Sequence, residues 1–141
     1  MISRYNIWYY YWVVMDILCY RFSLIARFYE KTIGQAYYEE LDRFNLYTAK
    51  KVLHIGCGAY PLSALMLMYH TDATVVSIDK NDIAVQLSKR VIKKKKMQKR
   101  IIIEASDGIS YPLDQFDTII ISGCSIPMFG LIDYMLSLIH I

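Results

Sequence analysis

Four short, mainly apolar runs recur along the chain between residues 52 and 122, each bounded by charged residues or glycine. Val52–Ile55 sits between two lysines and Gly56, a pattern that predicts a buried strand. Thr74–Ile78, Ile101–Glu104 and Phe116–Ser122 repeat it. Helical patterns separate the first three runs. One starts at Leu62 and runs to Tyr69, with Pro61 near its first turn, where a missing N–H costs nothing. The other covers Asn81–Lys99, with Ile83, Val85, Leu87, Val91 and Ile92 as its apolar positions and Asp82 in the first turn, where the helix dipole favours it. Alternating strands and helices predict an α/β chain with a doubly wound parallel sheet. The first 47 residues read differently. Residues 5–20 carry Tyr5, Trp8, Tyr9, Tyr10, Tyr11, Trp12 and Tyr20, and the pattern predicts a helix over about Ile7–Ala26 and a second over about Thr32–Phe44. The apolar run Ile7–Tyr20 is shorter than the roughly 20 residues a bilayer demands, and Asp16 interrupts it, so no membrane span is expected.

The chemistry gathers at the strand ends. After the first strand, Gly56-Cys57-Gly58 opens a tight turn into a helix, and such a turn can present backbone N–H groups to a nucleotide-like or carboxylate-bearing ligand. Asp79 closes the second strand, close to the spacing of roughly 20 residues at which dinucleotide folds place a ribose-binding acid. Asp107-Gly108 follows the third strand, and Ser122-Gly123 ends the fourth. All four ends share the edge of a parallel sheet at which open α/β folds bind ligands.

Val52 to Gly58, Asp79, Asp107-Gly108 and Asp117 to Ser122 resemble the successive motifs of class I S-adenosylmethionine-dependent methyltransferases, over about residues 50–135. The resemblance implies a Rossmann-like sheet, here with its first four strands, preceded by N-terminal helices. It implies that Gly56 and Gly58 line the methionine part of S-adenosylmethionine, Asp79 the ribose and Asp107 the adenine amino group. His54, Cys57, Ala59, Lys80, Gly108, Ser122 and Gly123 complete the expected cofactor set. Two positions depart from the family: His54 stands where an acidic residue is usual, and Tyr60 where a third glycine is frequent. The loop Gly-Cys-Gly-Ala-Tyr-Pro-Leu-Ser is closer to that of the nicotianamine synthase group, which shares the fold and cofactor but transfers the aminocarboxypropyl arm.

Composition narrows the alternatives. With 55% hydrophobic and 21% charged residues the chain is globular rather than disordered. Cys19, Cys57 and Cys124 form neither a disulfide framework nor a CxxC pair, and the three histidines show no ligand spacing, so no metal is expected and a reducing, cytoplasmic setting is. The basic run from Lys89 to Arg100 suits a solvated helix C-terminus. With no interleaved aromatics and a net charge of +3, it argues against nucleic-acid binding. The expected organisation is an aromatic-rich helical segment (1–47), a cofactor-binding domain incomplete at its C-terminus (48–135) and a non-native tail (136–141). The tail expectation rests on Leu136–Ile141, which one reading frame of a common sequencing-transposon end would encode.

The expected activity is methyl transfer to an unidentified acceptor. Aminocarboxypropyl transfer to an amine and a non-catalytic nucleotide-binding module are the alternatives. Methyl transfer is an in-line displacement at an already activated carbon, so it needs orientation more than a catalytic side chain. Where a base is needed, the candidates in the N-terminal segment are Glu30, Glu39 or a nearby tyrosine, Tyr37 or Tyr38.

Overall fold

The computed structural model describes residues 4–122 together with Gly130 and Ile132, which are helical. Gly123, Cys124, the expected tail and the rest of the helix expected over 129–138 lie outside the described residues.

Helix α1 (Arg4–Arg21) and helix α2 (Ser23–Arg43) come first, then a single 3₁₀ turn at Leu46–Thr48. Strands β1 (Lys51–Ile55), β2 (Thr74–Asp79), β3 (Ile101–Ala105) and β4 (Thr118–Ile121) follow, with α3 (Leu62–His70) between β1 and β2 and α4 (Asp82–Lys94) between β2 and β3. The strands form one sheet in the order β3-β2-β1-β4, and all neighbours are parallel. The α/β class and the four strands are those expected from sequence.

Two helix boundaries differ from expectation. The break between the two N-terminal helices, expected over about residues 27–31, falls instead at Phe22, whose backbone is extended (φ −123°, ψ 110°), so α2 begins well before the expected Thr32. No glycine or proline marks this break. Its cause is packing: the chain folds back so that Trp12 meets Tyr29, with ring centroids 6.3 Å apart, and Cys19, Ala26 and Tyr29 enter the core. Helix α4 starts after Asn81, whose side chain accepts from the N–H groups of Ile83 and Ala84, and ends five residues before the expected Lys99. Lys96 there adopts a left-handed conformation (φ 59°), which a helix cannot continue through.

Helices cover one face of the sheet. Val52, Val75, Ile101 and Ile103 share a core with Ala64, Leu65 and Leu67 of α3 and Val85, Val91 and Ile92 of α4. Helix α2 lies over α3 at Gly34, where a Cβ would come within 2.7 Å of Met66 Sδ; the glycine permits that approach. The opposite face, Leu53, Ile55, Val76 and Ile78, is covered by the β3–β4 connection through Ile109, Tyr111, Leu113 and Phe116. This arrangement leaves the C-terminal ends of β1, β2 and β3, the glycine turn and α1 around one space. No helix among the described residues is long and apolar enough to cross a membrane.

Candidate functional site

That space is a cavity of about 600 Å³. His54, Gly56, Cys57, Gly58, Ala59, Asp79, Lys80, Asp107, Gly108 and Ser122 all line it, so the structure brings together every described residue expected at a cofactor. Tyr37 lines it too. Glu30, Glu39 and Tyr38, the other candidates, do not: Tyr38 packs edge-on against His70, and Glu30 accepts from the Tyr60 hydroxyl and from Lys95 Nζ at 2.8 Å.

Gly56 (φ 86°) and Gly58 (φ 65°) make the turn, in a backbone region that side chains disfavour. The turn's N–H groups do not point at empty space, contrary to the expectation of an anion seat. Those of Gly56 and Cys57 donate to the Ile78 carbonyl at 2.8 and 3.2 Å. That of Gly58 donates to Asp79 Oδ2 at 3.0 Å, and that of Ala59 to Asp16 Oδ2 at 3.0 Å. Two carboxylates therefore occupy adjacent donors, and the turn presents negative charge rather than bare N–H groups.

Asp79 is held at both oxygens, since Oδ1 accepts from the Asn81 N–H at 2.9 Å. Asp107 accepts from the Ile109 N–H at 3.0 Å, which fixes it at the end of β3. His54 lies in the middle of the sheet, with Nδ1 3.0 Å from Ser77 Oγ and Nε2 2.9 Å from Ser122 Oγ. Burial pushes its pKa down to about 4, so the ring is neutral at pH 7.

Sequence reasoning missed the far wall. Tyr9, Tyr10, Trp12, Val13 and Asp16 of α1 face the strand ends across the cavity. Burial is the main influence on Asp16 and pushes its pKa up to about 7; the Tyr60 and Ala59 N–H groups oppose the rise and Asp79 adds to it. The signal was present in the chain, as Asp16 is the one carboxylate in the helix and interrupts the apolar and aromatic run Ile7–Tyr20. Ile83, expected in the core, instead lies at this wall and is exposed.

The family model described as the methyltransferase small domain matches residues 35–122, from the middle of α2 to the residue after β4. The chain belongs to the methyltransferase small domain family. Among solved structures, this methyltransferase domain is similar to MtNAS, a nicotianamine synthase, in complex with MTA and tNA (TM-score 0.69, 13% identity, 95% of this chain and 52% of that one). It is also similar to a mutant of MtNAS in complex with S-adenosylmethionine (TM-score 0.67, 14% identity, 89% and 50%). A putative S-adenosylmethionine-dependent methyltransferase from Methanococcus maripaludis is a further match (TM-score 0.63, 19% identity, 76% and 52%). The chain thus spans about half the length of these structures. A search of curated proteins gave no match. The family and these likenesses bear out the class I, Rossmann-like methyltransferase fold.

Proposed function

We propose that this cavity binds S-adenosylmethionine and that the chain transfers its methyl group to a small-molecule acceptor. The observation that carries the reading is Asp79, a carboxylate fixed at the tip of β2 by the Gly58 and Asn81 N–H groups and open to the cavity. It is pre-oriented to accept from the two ribose hydroxyls. Asp107, one strand further out, is placed for the adenine amino group, and Gly56 and Gly58 for the methionine arm. His54, Cys57, Ala59, Lys80, Gly108 and Ser122 complete the wall, and Gly123 adjoins it in sequence. Because the turn's N–H groups are already engaged by Ile78, Asp79 and Asp16, a pyrophosphate finds no donors there. A sulfonium cation finds carboxylates. This favours S-adenosylmethionine over a dinucleotide.

The chain's part in the reaction is placement and exclusion of water. Holding acceptor and donor in line can supply about 7–11 kcal/mol of the barrier. Tyr37, on the α2 side of the cavity, is the candidate to contact the acceptor. A nucleic-acid acceptor is disfavoured: α4 meets the cavity through Ile83, Ala84 and Leu87, whereas the lysine cluster Lys93–Lys96 lies about 9 Å or more further along at 1.5 Å per residue, and none of its residues lines the cavity. Cys19 and Cys57 are buried free thiols, in keeping with the cytoplasmic setting we propose.

A second reading, transfer of the aminocarboxypropyl arm, is favoured by the Pro61-Leu62-Ser63 continuation of the loop and by a likeness to MtNAS that extends over both N-terminal helices. Calorimetric titration with S-adenosylmethionine, S-adenosylhomocysteine, methylthioadenosine and NAD tests both. Binding of the first two is expected. Much tighter binding of methylthioadenosine would favour the second reading, and binding of NAD alone would overturn both. Asp79→Ala should weaken S-adenosylmethionine binding by about 1–3 kcal/mol; unchanged affinity would remove Asp79 from the site.

A further inference from the structure

Helix α1 supplies a carboxylate to which neither reading assigns a role of its own. Asp16 reaches across the cavity from α1 and accepts from the Ala59 N–H, while Asp79 accepts from the Gly58 N–H one residue earlier. A Cβ on Gly58 would collide with the Asp16 carboxylate, so the glycine leaves the room that the carboxylate fills. Like charges on adjacent donors of one turn repel each other, more so out of water. Among the described residues Lys80 is the one basic side chain on the cavity wall. Beside Val13 and Ile17, the α1 wall carries the aromatic side chains Tyr9, Tyr10 and Trp12, whose ring faces also attract positive charge. Carboxylates on one side and aromatic rings on the other make a lining suited to a cation.

We propose that Asp16 is a specificity-determining residue that reads the positive charge of the bound cofactor and so favours S-adenosylmethionine over its neutral thioether product. The inference rests on the proposed binding of S-adenosylmethionine in this cavity. It holds for either transferred group. Loss of the methyl converts the sulfonium to a thioether, and loss of the aminocarboxypropyl arm leaves methylthioadenosine, also a thioether; in both cases the sulfonium charge goes. A carboxylate beside that charge binds the reactant more tightly than the product, which helps spent cofactor to exchange for fresh.

Asp16 carries a charge only when ionised, and its raised pKa of about 7 places that transition near neutral pH. The groups that face it are Asp79 from β2, Cys57 on the turn, Tyr29 of α2 and Cys19 on its own helix. The pKa values of Cys57 and Tyr29 are raised mainly by burial, to about 12 for the thiol and higher for the phenol, and that of Cys19 to about 11, so all three stay neutral through pH 6–8.

The test is calorimetric titration of the wild-type chain and Asp16→Asn with S-adenosylmethionine and S-adenosylhomocysteine at pH 8. The wild type should prefer S-adenosylmethionine, and the variant should lose about tenfold in that preference while its affinity for S-adenosylhomocysteine changes little. A parallel loss for both ligands would assign Asp16 a structural role and overturn the proposal. So would an unchanged preference. A wild-type pH series needs no substitution: the preference for S-adenosylmethionine should grow between pH 6 and 8, and a flat ratio would overturn the proposal even if Asp16→Asn failed to fold. Wild-type protein that bound neither ligand would instead overturn the cofactor reading, and this inference with it.

Discussion

Gly58 and Asp16 form a pair in which each constrains the other. The left-handed backbone of Gly58 costs an ordinary residue about 1–2 kcal/mol, and a Cβ would also displace the Asp16 carboxylate from the Ala59 N–H. Gly58→Ala should therefore destabilise the chain by about 2 kcal/mol or more in urea unfolding. Part of that cost should vanish when Asp16→Ala is combined with it, since the collision is then relieved. Strict additivity of the two changes would show that the carboxylate does not sit on the turn. His54 is the other informative residue. In the sequence it is simply a departure from an acidic position. In the structure its two ring nitrogens meet Ser77 of β2 and Ser122 just after β4, which makes a polar link from β2 across β1 to the end of β4. His54→Leu would strand the fully buried Ser77 hydroxyl and should cost about 1–3 kcal/mol. Unchanged stability would mean that water or relaxation can replace the imidazole.

At the scale of elements, the sheet and its ligand-binding edge were legible because each strand is a short apolar run closed by a polar or glycine signal. Asn81 made the start of α4 legible in the same way. The two N-terminal helices were legible as helices, but the place of the break between them and the side α1 turns to the cavity were not, for a physical reason. The apolar and aromatic residues of α1 are spread around its circumference, so no stripe tells which side faces the cavity, and the break at Phe22 follows from tertiary packing rather than from any stop residue. The basic run shows a similar limit. Its lysines look equivalent in sequence, yet Lys95 alone is drawn into a partly buried cluster, bonded to Glu30 of α2 at 2.8 Å and to the Tyr69 hydroxyl at 3.3 Å. Glu30 in turn accepts from Tyr60 on the glycine turn, so the cluster ties α2, the turn and the end of α4 together. Alanine at Lys93, Lys94 and Lys96 should leave both cofactor affinity and stability unchanged within about 0.5 kcal/mol. Lys95→Ala should cost about 1 kcal/mol of stability, because its partner carboxylate is left partly buried. Equal effects at all four positions would show that the run acts only through its summed charge.

For the whole molecule, two strongly perturbed groups of the site, His54 and Asp16, change charge below about pH 7 and oppose each other in their dependence on pH. Burial lowers His54 from 6.5 to about 4, so between those values the unfolded chain binds a proton that the native chain refuses. The contribution of His54 is full above about pH 6.5 and is lost as the pH falls through 4. Burial raises Asp16 from 3.8 to about 7, so over that interval the native chain holds a proton that the unfolded chain releases. The contribution of Asp16 is full below about pH 3.8 and is lost as the pH rises through 7. At about 1.4 kcal/mol per pH unit for one proton, the two slopes nearly cancel between pH 4 and 6.5. Removing one group should expose the other. Asp16→Asn keeps the size of the side chain but cannot ionise, so its stability relative to wild type should improve by about 2.5 kcal/mol between pH 5 and pH 8. Urea unfolding of both chains at the two pH values measures this, with no ligand present. If the two stabilities instead move in parallel, Asp16 ionises as an ordinary carboxylate. The pH-dependent preference between reactant and product cofactor would then lose its origin, whatever the affinities measured at a single pH.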